Sequence, residues 1–307
     1  MSILKLDYPV YSLDRQLLLR AGTTLSDETL KTLISSRGAD HRKTHSLMQY
    51  GTVKKDVLCF LTQPPANTIF SDQRRISEIM KIMEHVKLAL PVLDSMEYFK
   101  KHDAYTYRHI LVVFALSALL SRNLISDYHV RIRESAAGPS HDIGKICIPI
   151  KILKKTSPLT RDERNIIKHH ATAGYILLSY YLQDIEHLTV RVARDHHERN
   201  DGSGYPSGMN LNDRAVEIVV VCDVYDALSA SRPYRPVSFD NRSALEEITL
   251  MAERGEVSWE VVQALVAQNR KGNPHFSECS VSLEKRGAPP PGNMYGIIAE
   301  NISILPE

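Results

Sequence analysis

The hydrophobic and turn-forming positions divide this chain into a short mixed segment and a longer helical one. Within residues 1–75, the apolar runs 8–11 and 16–19 are spaced as the two arms of a hairpin. Residues 26–34 predict a short helix that should stop near Gly38. We therefore expect a small α+β domain at the N-terminus and interpret it as a candidate regulatory domain.

Beyond the first quarter of the chain, the apolar positions follow a helical period. The predicted helices are residues 76–93 with a kink or restart at Pro91, 105–121, 160–180, 187–197, 243–253 and 258–268. Residues 218–228 open with a β-branched run typical of a strand, but Asp223 and Asp226 would share one helical face, and we interpret this segment as a helix. We predict a mainly α protein, with a helical domain over 76–270 and a C-terminal extension over 271–307.

Composition excludes several classes of function. The 307 residues include 38 Lys and Arg against 36 Asp and Glu, a net charge of +2, which lacks the strong positive field of proteins that bind nucleic acid polymers. The longest apolar stretch, residues 110–120, is far shorter than the ~20 residues of a membrane span, and no signal peptide opens the chain. Four scattered cysteines fit a reducing compartment, so we expect a cytoplasmic protein without a membrane span.

Histidine is distributed unevenly. Nine of the 13 histidines lie between His102 and His197, in under a third of the chain. Because histidine is the commonest side-chain ligand for transition metals, this clustering raises the hypothesis of a metal site.

The string from His141 to Lys145 is the most suggestive short motif. Adjacent His141 and Asp142 supply one nitrogen and one oxygen ligand, and a carboxylate can bridge two ions. Gly144 permits close approach of backbone or substrate, and Lys145 places a cation one helical turn beyond Asp142. The alternative is a solvated helix start, which for an isolated His-Asp pair is the more common explanation.

Three further histidines have ligand-like placements. His170 lies on the inward face of the helix opened by Thr160, where the alternative is a hydrogen-bonded core histidine. His196 and His197 precede a glycine-rich loop whose one large side chain is Tyr205, and without the histidines this would be a helix end followed by a turn.

A carboxylate and two guanidinium groups follow. Asp223 emerges from a buried apolar run, where an ionised carboxylate is rarely found unless it is paired or binds metal. Arg232 and Arg235 suit phosphate oxygens, although a surface turn with ordinary charges is the more common explanation when they are taken by themselves.

In chain order, His109, His141-Asp142 and Asp223 resemble the ligands of the HD superfamily of metal-dependent phosphohydrolases. With His170, His196-His197 and Gly204-Tyr205-Pro206 added, the chain resembles the HD-GYP family, which is known for hydrolysing the bacterial second messenger cyclic di-GMP. The resemblance extends over residues 103–235. The N-terminal segment also looks like the small domain that often precedes this family's catalytic part.

The resemblance implies an HD-type helical bundle around a binuclear metal centre, with iron favoured and manganese as the alternative. One ion would be held by His109, His141, Asp142 and Asp223. The other would be held by His170, His196 and His197, with Asp142 bridging. Asp142 and Lys145 would be the catalytic residues, and a hydroxide activated by the two ions would attack phosphorus. The substrate would be contacted by Tyr205, Asp226, Arg232 and Arg235.

Two departures from the family pattern affect the expectations. Tyr105 occupies the position where a subset of the family has a glutamate and a third metal, so we predict two metals. Gly138-Pro139 should break the helix that usually runs into His141, and we expect this to open or reshape the substrate pocket.

Three functions are compatible with this pattern. The leading hypothesis is a phosphodiesterase that cleaves cyclic di-GMP, or a related nucleotide, to the linear dinucleotide or onward to GMP. The alternatives are an impaired relative that acts as a receptor or interaction module with other signalling proteins, and an HD hydrolase of another phosphoester.

Overall fold

The computed structural model describes residues 4–36, 44–232, 237–272 and 274–291, together with residues 293 and 299. Its helices are α1 (Asp27–Ser35), α2 (Val53–Leu61), α3 (Gln73–Glu84), α4 (Leu90–His102), α5 (Ala104–Leu124), α6 (Tyr128–Ser135), α7 (Ile150–Leu153), α8 (Arg161–Leu182), α9 (Leu188–Asp195), α10 (Arg214–Ser229), α11 (Asn241–Glu253) and α12 (Trp259–Gln268). The predicted helix stop at Gly38 lies outside the described residues.

The strands are short and pair antiparallel. They are β1 (Leu4–Lys5), β2 (Val10–Tyr11), β3 (Leu17–Leu19), β4 (Thr24–Leu25), β5 (Thr44–Ser46) and β6 (Lys87–Ala89). β1 pairs with β4, β2 with β3, and β5 with β6. The predicted mainly α architecture with a small α+β segment at the N-terminus is confirmed.

The N-terminal segment folds as its turn and cap signals predict. β2 and β3 form the expected hairpin, and the Ser26 side chain caps α1 by accepting from the Thr29 N–H. β5 belongs to the first 75 residues but pairs with β6 beyond them, and α2 packs on α5. The boundary at residue 75 therefore stays a prediction.

The apolar stripe that begins at Ile76 is divided into two helices. α3 ends at Glu84, β6 follows, and α4 begins with Pro91 in its first turn. Proline starts a helix readily because its missing N–H would be unpaired there in any case. Of the two expectations for Pro91, a kink or a restart, the restart is confirmed.

Two helices form the centre of the bundle. α5 and α10 pack against each other, and α10 confirms the helical interpretation of the β-branched run before Asp223. By length and composition α5 could cross a membrane, but its most apolar window is 83% buried inside the protein. A core helix meets the same criteria, so this is weak evidence for a span.

Candidate metal centre

Five segments bring the predicted ligands together. α5 supplies His109, the turn after α6 supplies His141 and Asp142, α8 supplies His170, the end of α9 supplies His196 and His197, and α10 supplies Asp223. Two groups form within this cluster, each with ligand atoms within 4.8 Å of one another. The groups are His109, His141 and Asp142, and His170, His196 and His197.

Asp142 belongs to the first group and also faces the second. Its two carboxylate oxygens face different histidines. Oδ2 lies 3.4 Å from Nε2 of both His109 and His141. Oδ1 lies 3.4 Å from Nε2 of His170 and 3.9 Å from Nε2 of His196. A bridging ligand requires this placement of its two oxygens.

The remaining spacings also fit metal coordination. Asp223 Oδ1 lies 3.1 Å from His109 Nε2, and His170 Nε2 lies 3.1 Å from Nε2 of both His196 and His197. Two ligand atoms each about 2.1 Å from one ion, at angles of about 90–110°, lie about 3.0–3.4 Å apart. The residues present in each group therefore fit a bound metal ion.

Main-chain carbonyls orient three of the imidazoles. His141, His170 and His196 each point Nδ1 at the carbonyl three residues earlier in the chain, at 2.7, 2.6 and 3.0 Å. A proton on Nδ1 donates to that carbonyl, which leaves the Nε2 lone pair directed into the cluster.

The local electrostatics favour the forms that bind metal. Burial lowers the pKa of His170 to about 4. Burial and the adjacent imidazoles hold the pKa values of His196 and His197 well below their usual range. Burial opposes ionisation of Asp142, but Lys145, with Nζ 2.6 Å from Oδ2, and His141 hold its pKa well below the usual value. Neutral imidazoles at His170, His196 and His197 and an ionised carboxylate at Asp142 result. At His109, burial, which lowers the pKa, is outweighed by the hydrogen bonds with Asp223 and Asp226, which raise it.

The structure corrects the predicted substrate contact of Asp226. Its side chain is 1% exposed and accepts from His109 Nδ1 at 2.8 Å and from Arg108 Nη1 at 3.0 Å. Both oxygens are therefore occupied behind the cluster, away from the cavity. Asp226 orients His109, the role of a carboxylate partner behind a ligating histidine.

Gly144 allows the motif around Asp142 to lie directly on α8. A Cβ at this position would fall 1.9 Å from the His170 carbonyl oxygen and 2.5 Å from the Gly174 nitrogen. Any side chain would therefore separate Asp142 from His170. The predicted close approach at Gly144 is confirmed, and the approaching group is the backbone of α8.

The predicted helix break at Gly138-Pro139 is present, and its effect on the pocket stays a prediction. α6 ends at Ser135 and a 3₁₀ turn covers Gly138–Ser140, so the predicted helix break is present. The turn is buried against α5, where a Cβ on Gly138 would lie 3.3 Å from Phe114 Cα. The turn is not among the residues that line the cavity.

A cavity of about 350 Å³ opens onto the ligand cluster. Its wall includes Lys145, Tyr205 and Arg232. The Tyr205 ring stacks on His197 at 4.6 Å between centroids, and the Arg232 guanidinium lies over the Tyr105 ring at 5.1 Å. Arg235, the other predicted guanidinium, lies outside the described residues.

Sequence reasoning missed three cations of this wall. Arg164 and Lys168 lie one turn apart on α8, and Arg199 follows the paired histidines. Burial and the Arg164 charge lower the pKa of Lys168. For Arg164 and Lys168, the signal available in the sequence was their spacing of four residues on the helix that contains His170.

The fold and the ligand cluster define a metal-binding helical bundle. Residues 76–257, more than half of the chain, match the family model described as HD domain. The chain therefore belongs to the HD domain family, which is metal-dependent, and the predicted family membership is confirmed.

The chain is similar to two curated proteins and to one solved structure. The cyclic di-GMP phosphodiesterase response regulator RpfG of Xanthomonas campestris is 38% identical over 168 residues, 53% of this chain and 43% of the relative. The 3′3′-cGAMP-specific phosphodiesterase 1 of Vibrio cholerae is 32% identical over 174 residues, 56% of this chain and 38% of the relative. A solved HDG"Y"P protein from Bdellovibrio bacteriovorus, Bd1817, has 17% identity and a TM-score of 0.44 over 85% of this chain and 94% of its own. The chain spans about two fifths of the curated relatives' length.

Proposed function

We propose that this protein is a metal-dependent phosphodiesterase that hydrolyses cyclic di-GMP to the linear dinucleotide. The observation that carries the proposal is the position of Asp142, whose two oxygens face the two histidine groups, beside a cation-lined cavity that reaches His170, His197 and Asp223. Relatives named as cyclic di-GMP phosphodiesterases support the choice of substrate.

The seven ligands have divided roles in this proposal. One ion would be held by His109, His141, Asp142 and Asp223. The second would be held by His170, His196 and His197, with Asp142 shared. Iron is favoured and manganese is the alternative, because both suit a nitrogen-rich site with carboxylates. When bound, two such ions supply a nucleophile from water at neutral pH and neutralise phosphoryl charge.

The side chains at the cavity hold and orient the substrate. Lys145 Nζ lies 2.6 Å from Asp142, so its ammonium group can also donate to a phosphoryl oxygen at the centre. Tyr205 packs over the His197 ring and forms part of the wall above the cluster. Arg232 places a guanidinium at the same wall, where it can contact a phosphate.

A second candidate is hydrolysis of another cyclic dinucleotide. Three relatives with 32%, 36% and 37% identity are named as 3′3′-cGAMP-specific phosphodiesterases. Such an enzyme would keep the same metal ligands and differ in the cavity wall.

A receptor that binds nucleotide without turnover, in partnership with other signalling proteins, is the outcome if hydrolysis fails. In either case we propose a cytoplasmic role in bacterial signalling, with residues 1–75 as the regulatory domain.

The test combines metal content with product analysis. The chain is purified anaerobically, loaded with iron or manganese, and assayed with cyclic di-GMP and 3′3′-cGAMP. We expect about two ions per chain and the linear dinucleotide as product, with GMP as a further product if cleavage continues. Asp142→Ala should lose metal and turnover. The matched control is Asp162→Ala, which removes an exposed carboxylate in the first turn of α8 and should retain both.

The outcomes separate the candidates. Two ions with faster cleavage of 3′3′-cGAMP would favour the second candidate. Two ions with nucleotide binding but no product would favour the receptor. Unchanged turnover in Asp142→Ala would refute both enzyme proposals.

A further inference from the structure

One wall of the cavity contains cations that the metal centre does not account for. Arg164, Lys168 and Arg199 all line it. Within the described part of the chain, none of the three forms an ion pair. Glu163 beside Arg164 is paired with Lys155 instead. Among the residues that the structure describes, these three positive charges therefore have no carboxylate within ion-pair distance, although Asp103 and Asp223 also line the cavity.

Two of these cations, Arg164 and Lys168, precede His170 on α8, and Arg199 follows His197 by two residues. Arg164 precedes His170 by six residues on α8, which places its Cα about 9 Å from that of His170 along the helix axis. Lys168 Nζ lies 5.0 Å from the centre of the Tyr205 ring, and that ring in turn stacks on His197. Lys145, by contrast, contacts the bridging carboxylate directly. Lys145 can serve an anion at the metal centre, whereas the wall cations are placed for a second anion further out.

We propose that Arg164, Lys168 and Arg199 form a second anion site, which binds the phosphodiester that is not under attack in a cyclic dinucleotide. This inference rests on the proposed function, because ring closure of such a substrate keeps its second phosphodiester within the same cavity. Guanidinium groups bind phosphate oxygens through paired hydrogen bonds, and an ammonium group adds a point charge. The site would select substrates with two phosphodiesters over those with one.

The contrasting explanation is that the substrate anion is attracted by a general positive field, to which any nearby cation would contribute equally. The chain offers a pair of lysines as a matched control that separates the two explanations. Lys151 and Lys154 are exposed, lie beside Ile152 and Leu153 of the cavity wall, and do not line the cavity themselves. Removing both changes the net charge by the same amount as removing Arg164 and Lys168.

The experiment uses the full chain as wild type, Arg164→Gln/Lys168→Gln and Lys151→Gln/Lys154→Gln. Binding of cyclic di-GMP is measured calorimetrically on metal-free protein, where the cations act without the ions. On metal-loaded protein, kcat/KM is measured for cyclic di-GMP and for bis(p-nitrophenyl) phosphate, which has a single phosphodiester. We expect the Arg164/Lys168 variant to weaken cyclic di-GMP binding at least tenfold. The ratio of the two kcat/KM values should fall by a similar factor, and the control should stay within twofold of wild type in both measurements.

Each outcome decides between the two proposals. Equal losses of cyclic di-GMP binding in the two double variants, or no loss in either, would overturn the second anion site. If the wild type still cleaves cyclic di-GMP, the proposed function is supported all the same. Binding that depends on Arg164 and Lys168 without any cleavage would support the anion site and refute the phosphodiesterase. A wild type that neither binds nor cleaves cyclic di-GMP would overturn both.

Discussion

Replacing Gly144 with alanine should separate the two halves of the candidate metal centre. The added methyl group would lie 1.9 Å from the His170 carbonyl oxygen, whereas real Cβ contacts are essentially never shorter than 3.0 Å. The clashing atoms are backbone, so no side-chain rotation relieves the contact. The segment with Asp142 and the helix with His170 must therefore move apart by at least about 1 Å.

That movement is large compared with what metal ligands tolerate. Asp142 Oδ1 and His170 Nε2 are 3.4 Å apart, and ligand distances are held to about ±0.2 Å in functional sites. Overpacking of this kind also destabilises a folded protein by about 1–3 kcal/mol. We expect Gly144→Ala to lose at least one ion per chain and to unfold at lower denaturant concentration.

The assay measures bound metal by mass spectrometry and stability by urea unfolding, with and without metal. Gly174→Ala is the matched control, because it adds the same methyl group at the same contact between α8 and the Gly144 segment. Its Cβ would meet the Ala193 Cβ and the Gly144 nitrogen at 3.4 Å, which is ordinary contact. The control should keep both ions. If Gly144→Ala retained two ions and wild-type stability, the argument from close approach would be wrong.

Three other perturbations test separate parts of the site. Lys145→Ala should slow hydrolysis by about 10²-fold or more without loss of bound metal, because the ammonium group stabilises phosphoryl charge and is not a ligand. Metal content is measured together with kcat, and loss of metal would refute that role. Asp226→Asn should weaken metal affinity about 10–100-fold in chelator competition, because His109 loses its carboxylate partner; the exposed change Asp201→Asn is the control, and equal affinities would contradict the assignment. The metal-free protein should lose stability as pH falls from about 6.5 towards 4, because the unfolded chain protonates His169 and His170 while their pKa values in the folded state are about 4. In urea unfolding at pH 7 and pH 5, His169→Gln should reduce this loss, and an unchanged loss would exclude His169.

The local elements were predictable because their signals are local. The capping box of Thr160 and Glu163 opens α8 as expected, and the spacing of Asp223 and Asp226 identified α10 despite its β-branched start. Such signals act within one or two helical turns, so the sequence carries them in full. The seven ligands were predictable for another reason, because their order along the chain resembles that of a known family.

The exceptions arose where distant segments meet. The strand β6 was missed because its pairing partner, β5, lies some 40 residues earlier, and a three-residue run has no period of its own. Gly138-Pro139 breaks the helix as expected, yet the consequence for the pocket could not be deduced, because the position of the turn depends on its packing against α5.

The roles of the side chains in the site also divide into what local sequence determines and what packing between distant segments determines. The sequence by itself determined which residue types are present and which elements they occupy. Tertiary structure alone decided that Asp226 faces His109 and that Asp142 presents one oxygen to each histidine group. It also decided that Arg164, Lys168 and Arg199 line the same cavity as Tyr205. Directions between helices depend on how their faces pack, and that packing is a property of the whole core rather than of any one segment.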